Sequence, residues 1–452
     1  MSGIGQAPHG KHHCPECPCR TAQTQRRYLH SALRRTVRQK TRRSFTGKFD
    51  TFKRTRNWAK DAISLKKPLT IPRGSAANRL MLNGNQAIAL GAMAAGMKFC
   101  AFYPMTPATS IPLFLASHAK DMGLIVEQTE DEISAINMAI GASFTGAPSM
   151  VATSGGGFAL MTEGVSLAGM TETPIVIVVA QRPGPATGLP TRTEQADLEF
   201  ILHAGHGEFP RAIMTPGTPE ECFYLTYKAF HLAEASQGPV FVMTDQFLAD
   251  SYRAVEPFDL SNLKHVQGGN TTLKGISIPY MRYQLTNNGI SPRLLPGVTD
   301  QLVVADSDEH TEDGHITENL TMRKKMVEKR LAKLHVLLQE IVPPIYVGEE
   351  GPEYLLVSWG STYGPALMAG NLLRERNKAV ANLHFSQVWP LNEAQFLNKL
   401  LAAKEVISVE GNATGQFARL LRRETGFHIS RYVLRYDGLP ITAEYILERL
   451  NI

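Results

Sequence analysis

The stretch Phe99-Cys-Ala-Phe-Tyr-Pro-Met-Thr-Pro-Ala-Thr-Ser110 decides the fold class. A short apolar run stops at Tyr103, and two prolines bracket Met105 and Thr106. An apolar run of that length, ended by proline, reads as a buried strand emptying into a loop. Each proline disfavours the helical region for its predecessor, so Tyr103 and Thr106 are expected to be extended. The Thr106 hydroxyl would then be presented on a stiff loop at the carboxyl end of a strand. Open α/β sheets bind ligands there.

Working outward, the same alternation runs from 80 to 256. Helices are predicted over 85–95, 111–120, 130–143 (with Ile133, Ile136 and Ile140 on one face) and 158–170. Strands are predicted over 99–103, 123–127, 150–153, 174–180 and 239–244. Near-continuous apolar strands alternating with helices predict an α/β fold with a parallel sheet covered on both faces. Residues 258–351 carry less regular signal, apart from a charged helix over 318–341, and read as a connector. The α/β rhythm resumes over 352–452 as a smaller second domain.

The net charge of +6 is an average of two unlike parts. Residues 1–80 hold 19 Lys/Arg against 3 Asp/Glu, while the remainder holds 28 against 38. The expected organisation is therefore a basic tail over 1–79 on an acidic enzyme beginning near residue 80. The tail has little apolar periodicity, and disorder is expected of it. A nucleic-acid-binding arm, an organellar transit peptide and a non-native start are alternative readings of its arginine runs. Cys14, Cys17 and Cys19, preceded by His12 and His13, could hold a soft metal but lack a second half with matching spacing. Only Cys100 and Cys222 remain elsewhere, which suits a reducing, cytoplasmic setting. No apolar run approaches the roughly 20 residues that span a bilayer.

Chemistry could reside at four strand ends. Thr106 is the first, with a turn hydroxyl satisfied by its own backbone as the plain alternative. In Glu127-Gln-Thr-Glu-Asp-Glu132, Thr129 and Glu132 have the spacing of a capping box. Glu132 could equally exchange a proton with a bound heterocycle. Thr153-Ser-Gly-Gly-Gly157 reads as a loop that permits close backbone approach, without a dinucleotide or Walker pattern. Gln181-Arg-Pro-Gly-Pro-Ala-Thr-Gly-Leu-Pro-Thr-Arg192 places Arg182 where it could clamp a carboxylate bidentately. Missing from the sequence are a nucleophile elbow, HExxH, a four-cysteine cluster motif, and Gly-Asp-Gly followed by Asn-Asn, the pattern that binds a diphosphate through Mg²⁺. A phosphorylated cofactor would need another chain to hold its phosphates.

Several motifs together carry a resemblance. Asn83-Gly-Asn-Gln-Ala-Ile-Ala-Leu-Gly-Ala92, Tyr103-Pro-Met-Thr-Pro107, Glu130-Asp-Glu132 and Thr153-Ser-Gly-Gly-Gly-Phe158 come first. The 181–191 stretch, Asp308-Glu-His310 and Val409-Glu-Gly-Asn-Ala-Thr-Gly-Gln416 follow. In this order they resemble the alpha subunit of 2-oxoacid:ferredoxin oxidoreductases, most closely the 2-oxoglutarate branch, from about Leu80 to the end of the chain. The resemblance implies a pyrimidine-type thiamine-diphosphate-binding domain over 80–257 and a transketolase-C-like α/β domain over 352–452. It implies Glu132 against N1′ of the aminopyrimidine, with Tyr103, Pro104 and Thr106 lining the cofactor. Arg182, with Thr187 and Thr191, would hold the substrate carboxylate. It further implies a beta subunit supplying Mg²⁺, the diphosphate site and a 4Fe-4S cluster, with coenzyme A as co-substrate and ferredoxin as acceptor. Three positions depart from the family pattern: Met105 for Ile, Gly156 for Pro and Gly411 for Asn. Residues 1–80 do not resemble the gamma domain that many relatives carry in front, so a separate gamma subunit or a damaged reading frame is expected. The rival substrates are pyruvate and branched-chain 2-oxoacids; the rival class is a non-catalytic or nucleic-acid-binding protein, with nucleic acid and membrane not expected as partners.

Overall fold

The computed structural model describes residues 42–62 and 78–452. Within the tail, where composition predicted no regular structure, Arg42–Ala62 form a helix. Lys53 lies 4.7 Å from the Phe49 ring centroid, at the i, i+4 spacing that brings side chains together on one helix face. The rest of that expectation, and the Cys14, Cys17, Cys19 metal reading with it, falls outside the described residues.

In 78–452 the strands are β1 (Leu80–Leu82), β2 (Phe99–Phe102), β3 (Ile125–Gln128), β4 (Ser149–Thr153), β5 (Ile175–Gln181), β6 (Ala212–Met214) and β7 (Pro239–Asp245). They continue with β8 (Arg253–Val255), β9 (Ile345–Val347), β10 (Tyr354–Trp359), β11 (Val380–Phe385), β12 (Gln387–Trp389), β13 (Glu405–Glu410) and β14 (Arg431–Leu434). One sheet has the order β12-β6-β7-β5-β4-β2-β3, parallel except where β12 pairs antiparallel with β6. The second has the order β14-β13-β10-β11-β9, parallel except for β9. β1 and β8 form a short antiparallel pair.

β4, β5 and β7 are buried along their whole length, as their continuous apolar runs require of strands covered on both faces. Each Val, Ile or Phe sealed there contributes about 1.5–3 kcal/mol. One apolar cluster runs from Ile136 and Phe158 through Ile177 and Phe241 into Leu355, Trp359, Phe385 and Phe417. The two sheets thus share a core.

Three local expectations are corrected. The third predicted helix is Glu132–Phe144, and Ile133 on it is 49% exposed while Ile136 and Ile140 are buried. Its inward face is Glu132, Ala135, Ile136, Ala139, Ile140 and Ser143, so of the three isoleucines Ile133 falls outside it. The three glycines are not a loop: Gly155–Met170 is a helix with Ser154 as N-cap. The charged helix is two helices, Leu320–Ala332 and Leu334–Gln339, meeting at Lys333. Among the described residues no helix is long and apolar enough to cross a membrane.

Residues 258–344 hold no strand, only the two isolated bridges Asn270–Leu294 and His310–Ile316. They are fastened to the first sheet's layer by charge. Glu172, fully buried, pairs with Lys329 and Lys333, each at 2.6 Å. Arg282 donates to the carbonyls of Thr171 and Glu172 from the same side.

Candidate active site

The loop after β2 is fixed from beneath. Asn83 caps the helix Gly84–Ala94 and forms a capping box with Gln86. This leaves the next polar residue, Asn85, pointing inward and fully buried. Its Nδ2 donates to the Pro107 carbonyl at 2.8 Å and to Ser110 Oγ at 2.7 Å. Tyr103, Pro104 and Thr106 are consequently held at the surface, all three exposed, with Met105 half-buried between them.

Met105 reaches inward to the glycine turn. The Gly157 N–H donates to its sulfur at 3.1 Å. A Cβ on Gly157 would fall on Thr153 Oγ1 and Glu132 Oε1, and one on Gly155 would fall on the Asp197 carboxyl. At both positions a side chain would have to displace these buried groups. The turn is walled by two carboxylates, one thioether and the fully buried Ser154, whose hydroxyl has no partner.

Glu132 is 3% exposed, and its Oε1 has no hydrogen-bond partner. The predicted capping box is not formed. Thr129 Oγ1 is occupied with the carbonyls of Phe102 and Asp131, and the N-cap is Asp131, which accepts from the Ser134 N–H at 2.7 Å. Glu132 occupies the first helical position and is left free of capping.

From the other side, Arg182 Nη1 donates to the Thr106 carbonyl at 2.7 Å. Thr106, Met105, Gly157, Glu132 and Arg182 are thus brought together. Thr187 and Thr191 are exposed on the same loop, and among the described residues neither is hydrogen-bonded to Arg182. Sequence reasoning missed two acids here. Asp197 presses on Gly155 with Oδ2 buried and unpartnered, and burial pushes it up to about 6 against the pull of Arg182. Burial, and then the Asp197 charge, pushes Glu194 up to about 7. Both lie in Thr193-Glu-Gln-Ala-Asp197, a stretch with no motif; only its position after the arginine loop could have flagged it. Among the described residues no group of three or more His, Cys, Asp or Glu is placed to hold a metal.

The family model for the thiamine-diphosphate-binding part of pyruvate flavodoxin/ferredoxin oxidoreductases matches residues 90–329. A 2-oxoacid:ferredoxin oxidoreductase alpha subunit from Sulfurisphaera tokodaii is 36% identical over 397 residues, 84% of this chain and 62% of its own length. The 2-oxoglutarate synthase subunit KorA of Archaeoglobus fulgidus is 31% identical over 81% of this chain and 97% of its own. This chain belongs to the 2-oxoacid:ferredoxin oxidoreductase alpha-subunit family.

A solved family member is the 2-oxoglutarate:ferredoxin oxidoreductase from Magnetococcus marinus, with 2-oxoglutarate, coenzyme A and succinyl-CoA bound. It superposes with a TM-score of 0.85 at 32% identity, covering 94% of this chain and 73% of that one. The chain spans about three fifths of the length of the Sulfurisphaera and Sulfolobus relatives. The family motif Asp308-Glu-His310 lies away from the glycine turn. Glu309 there pairs with Arg323 and Arg330, and His310 packs on Tyr283.

Proposed function

We propose that this chain acts as the alpha subunit in the oxidative decarboxylation of 2-oxoglutarate to succinyl-CoA, with electrons passed to ferredoxin. The observation that carries this reading is the Glu132 carboxylate, sealed at the carboxyl edge of a parallel sheet with Oε1 unpartnered. An orphaned buried acceptor is costly, and a ring nitrogen bearing a proton would satisfy it. Bound thiamine diphosphate supplies the nucleophilic carbon that decarboxylation of a 2-oxoacid requires. Glu132 would hold N1′ and the proton exchanged there. Tyr103, Pro104 and Thr106 would wall the cofactor and exclude water. Arg182, with Thr187 and Thr191, would take the substrate carboxylate, since a guanidinium matches that group bidentately. Mg²⁺, the diphosphate and a 4Fe-4S cluster would be held by a beta subunit, with coenzyme A as acyl acceptor.

The division into 80–257, 258–351 and 352–452 belongs to the same proposal. The choice of 2-oxoglutarate is supported by the substrate for which the Archaeoglobus and Magnetococcus relatives are named. The Sulfurisphaera relative is named for 2-oxoacids at large and the family model for pyruvate, which leaves pyruvate or a branched-chain acid as the second reading.

The test is viologen reduction dependent on 2-oxoglutarate and coenzyme A, by the chain co-expressed with a beta subunit. Glu132→Gln is expected to lose about 10²–10⁴-fold in kcat. Equal rates in both would make Glu132 a structural carboxylate, and faster turnover of pyruvate would favour the second reading.

A further inference from the structure

Gln195 lies in the segment between Arg182 and the short helix Leu198–Leu202, and it is 2% exposed. All four of its hydrogen-bonding groups engage the domain built on β10–β14. Its N–H donates to the Gly411 carbonyl at 2.6 Å, and its carbonyl accepts from Asn412 Nδ2 at 3.1 Å. Its Oε1 accepts from the Gly411 N–H at 2.8 Å, and its Nε2 donates to the Trp359 carbonyl at 2.9 Å. A Cβ on Gly411 would lie 3.2 Å from Gln195 Cγ and Oε1, so Gln195 would have to give by a few tenths of an ångström to admit a side chain there. Neighbouring bonds follow the same line: the Thr193 N–H donates to the Gly438 carbonyl, and Gln416 Nε2 to the Ala196 carbonyl.

The receiving side is stiff. Glu410, fully buried, accepts from the N–H groups of Phe417 and Ala418, from Trp359 Nε1, from Asn412 Nδ2 and from Ser408 Oγ. On its other flank the segment holds the first sheet. The Asp197 N–H donates to Gln181 Oε1 at 2.9 Å, immediately before Arg182, and Thr193 Oγ1 donates to Asp245 at 3.0 Å.

We propose that Gln195 is a positioning residue through which the β10–β14 domain fixes the 182–197 loop and, with it, Arg182. This rests on the reading that Arg182 takes the substrate carboxylate. The second domain then governs 2-oxoacid affinity without touching the substrate. A buried donor or acceptor left without its partner costs more than the bond itself returns, so truncating the amide loosens the junction rather than re-forming it.

The experiment compares wild type, Gln195→Ala and Gln195→Glu in the full chain co-expressed with a beta subunit. Two readouts are taken: kcat and KM for the 2-oxoacid, and amide hydrogen exchange across 183–197 without substrate. Gln195→Ala is expected to raise KM about tenfold or more with kcat within about threefold, and to speed exchange across the loop. Gln195→Glu keeps the acceptor for the Gly411 N–H but turns a carboxylate onto the Trp359 carbonyl, so an intermediate effect is expected. Unchanged exchange in both variants overturns the proposal, as does a loss confined to kcat. Should the alanine variant fail to fold, the glutamate variant decides by the same two readouts. A complex with no 2-oxoacid turnover would remove the proposed function, while exchange would still decide the positioning role.

Discussion

Glu132 opens its helix and is almost fully buried, yet the capping bond is made by its neighbour Asp131. The carboxylate is therefore available to a ligand, held in place by packing against the Gly157 backbone. Gly157→Ala puts a methyl group where Glu132 Oε1 and Thr153 Oγ1 now sit. It is expected to cost about 1–3 kcal/mol of stability by overpacking and to abolish turnover, which urea unfolding and the viologen assay read separately. Around Arg182 the sign of a pH effect can be worked out. Glu194 and Asp197 are pushed up to about 7 and about 6, so both gain negative charge between pH 5 and 8. On the proposed role of Arg182, the Asp197 charge competes with the substrate carboxylate for the guanidinium. KM for the 2-oxoacid should rise over this interval, and Asp197→Asn should flatten the rise; a pH-independent KM in wild type would count against it.

Elements act here through their ends. The helix Gly84–Ala94 turns Asn85 inward to hold the 104–110 loop, and Glu132–Phe144 and Gly155–Met170 start on opposite sides of one small space. Carboxylates near helix N-termini are favoured by the helix dipole, which suits both Glu132 and Asp197. Removing the Asp131 cap should cost about 1 kcal/mol, and because Glu132 is the next residue it should also lower turnover. Urea melts of Asp131→Ala beside Asp131→Asn separate these, since Asn retains a cap and should restore both. The capping box read from Thr129 and Glu132 had the right spacing but the wrong partner. The helix opens two residues later, with Asp131 accepting from the Ser134 N–H, while the threonine hydroxyl donates to the carbonyls of Asp131 and Phe102.

Across the whole molecule, the segment 258–344 is secured by a buried charge cluster rather than by a sheet. The charges of Lys333, Lys329 and Arg282 outweigh the penalty of burial at Glu172 and hold its carboxyl down at about 2. A folded value below the unfolded one means stability that is complete above the ordinary carboxylate range and is lost as pH falls from about 4.5 toward 2. Glu172→Gln leaves two lysines buried without a counter-charge, and should cost about 3–5 kcal/mol near neutral pH. It should also flatten the acid limb of the stability curve; an unchanged acid limb would show that the cluster does not link folding to pH.

Legible in the sequence were the parallel α/β architecture, the buried strand opening at Phe99, the proline-bracketed loop that carries Thr106 beyond it and the motif order that marks the family. These are written in continuous apolar runs, in proline and glycine, and in short motifs, all of which act over a few residues. The closed fold settled that β12, three residues long and between Ser386 and Pro390, leaves the second sheet to pair with β6. It also decided that Asp197 meets Gly155, and that Gln195 is bound on every polar group by a domain some two hundred residues downstream. Such pairings depend on which backbone groups remain unsatisfied once the two sheets share a core. That quantity does not exist until the chain has closed on itself.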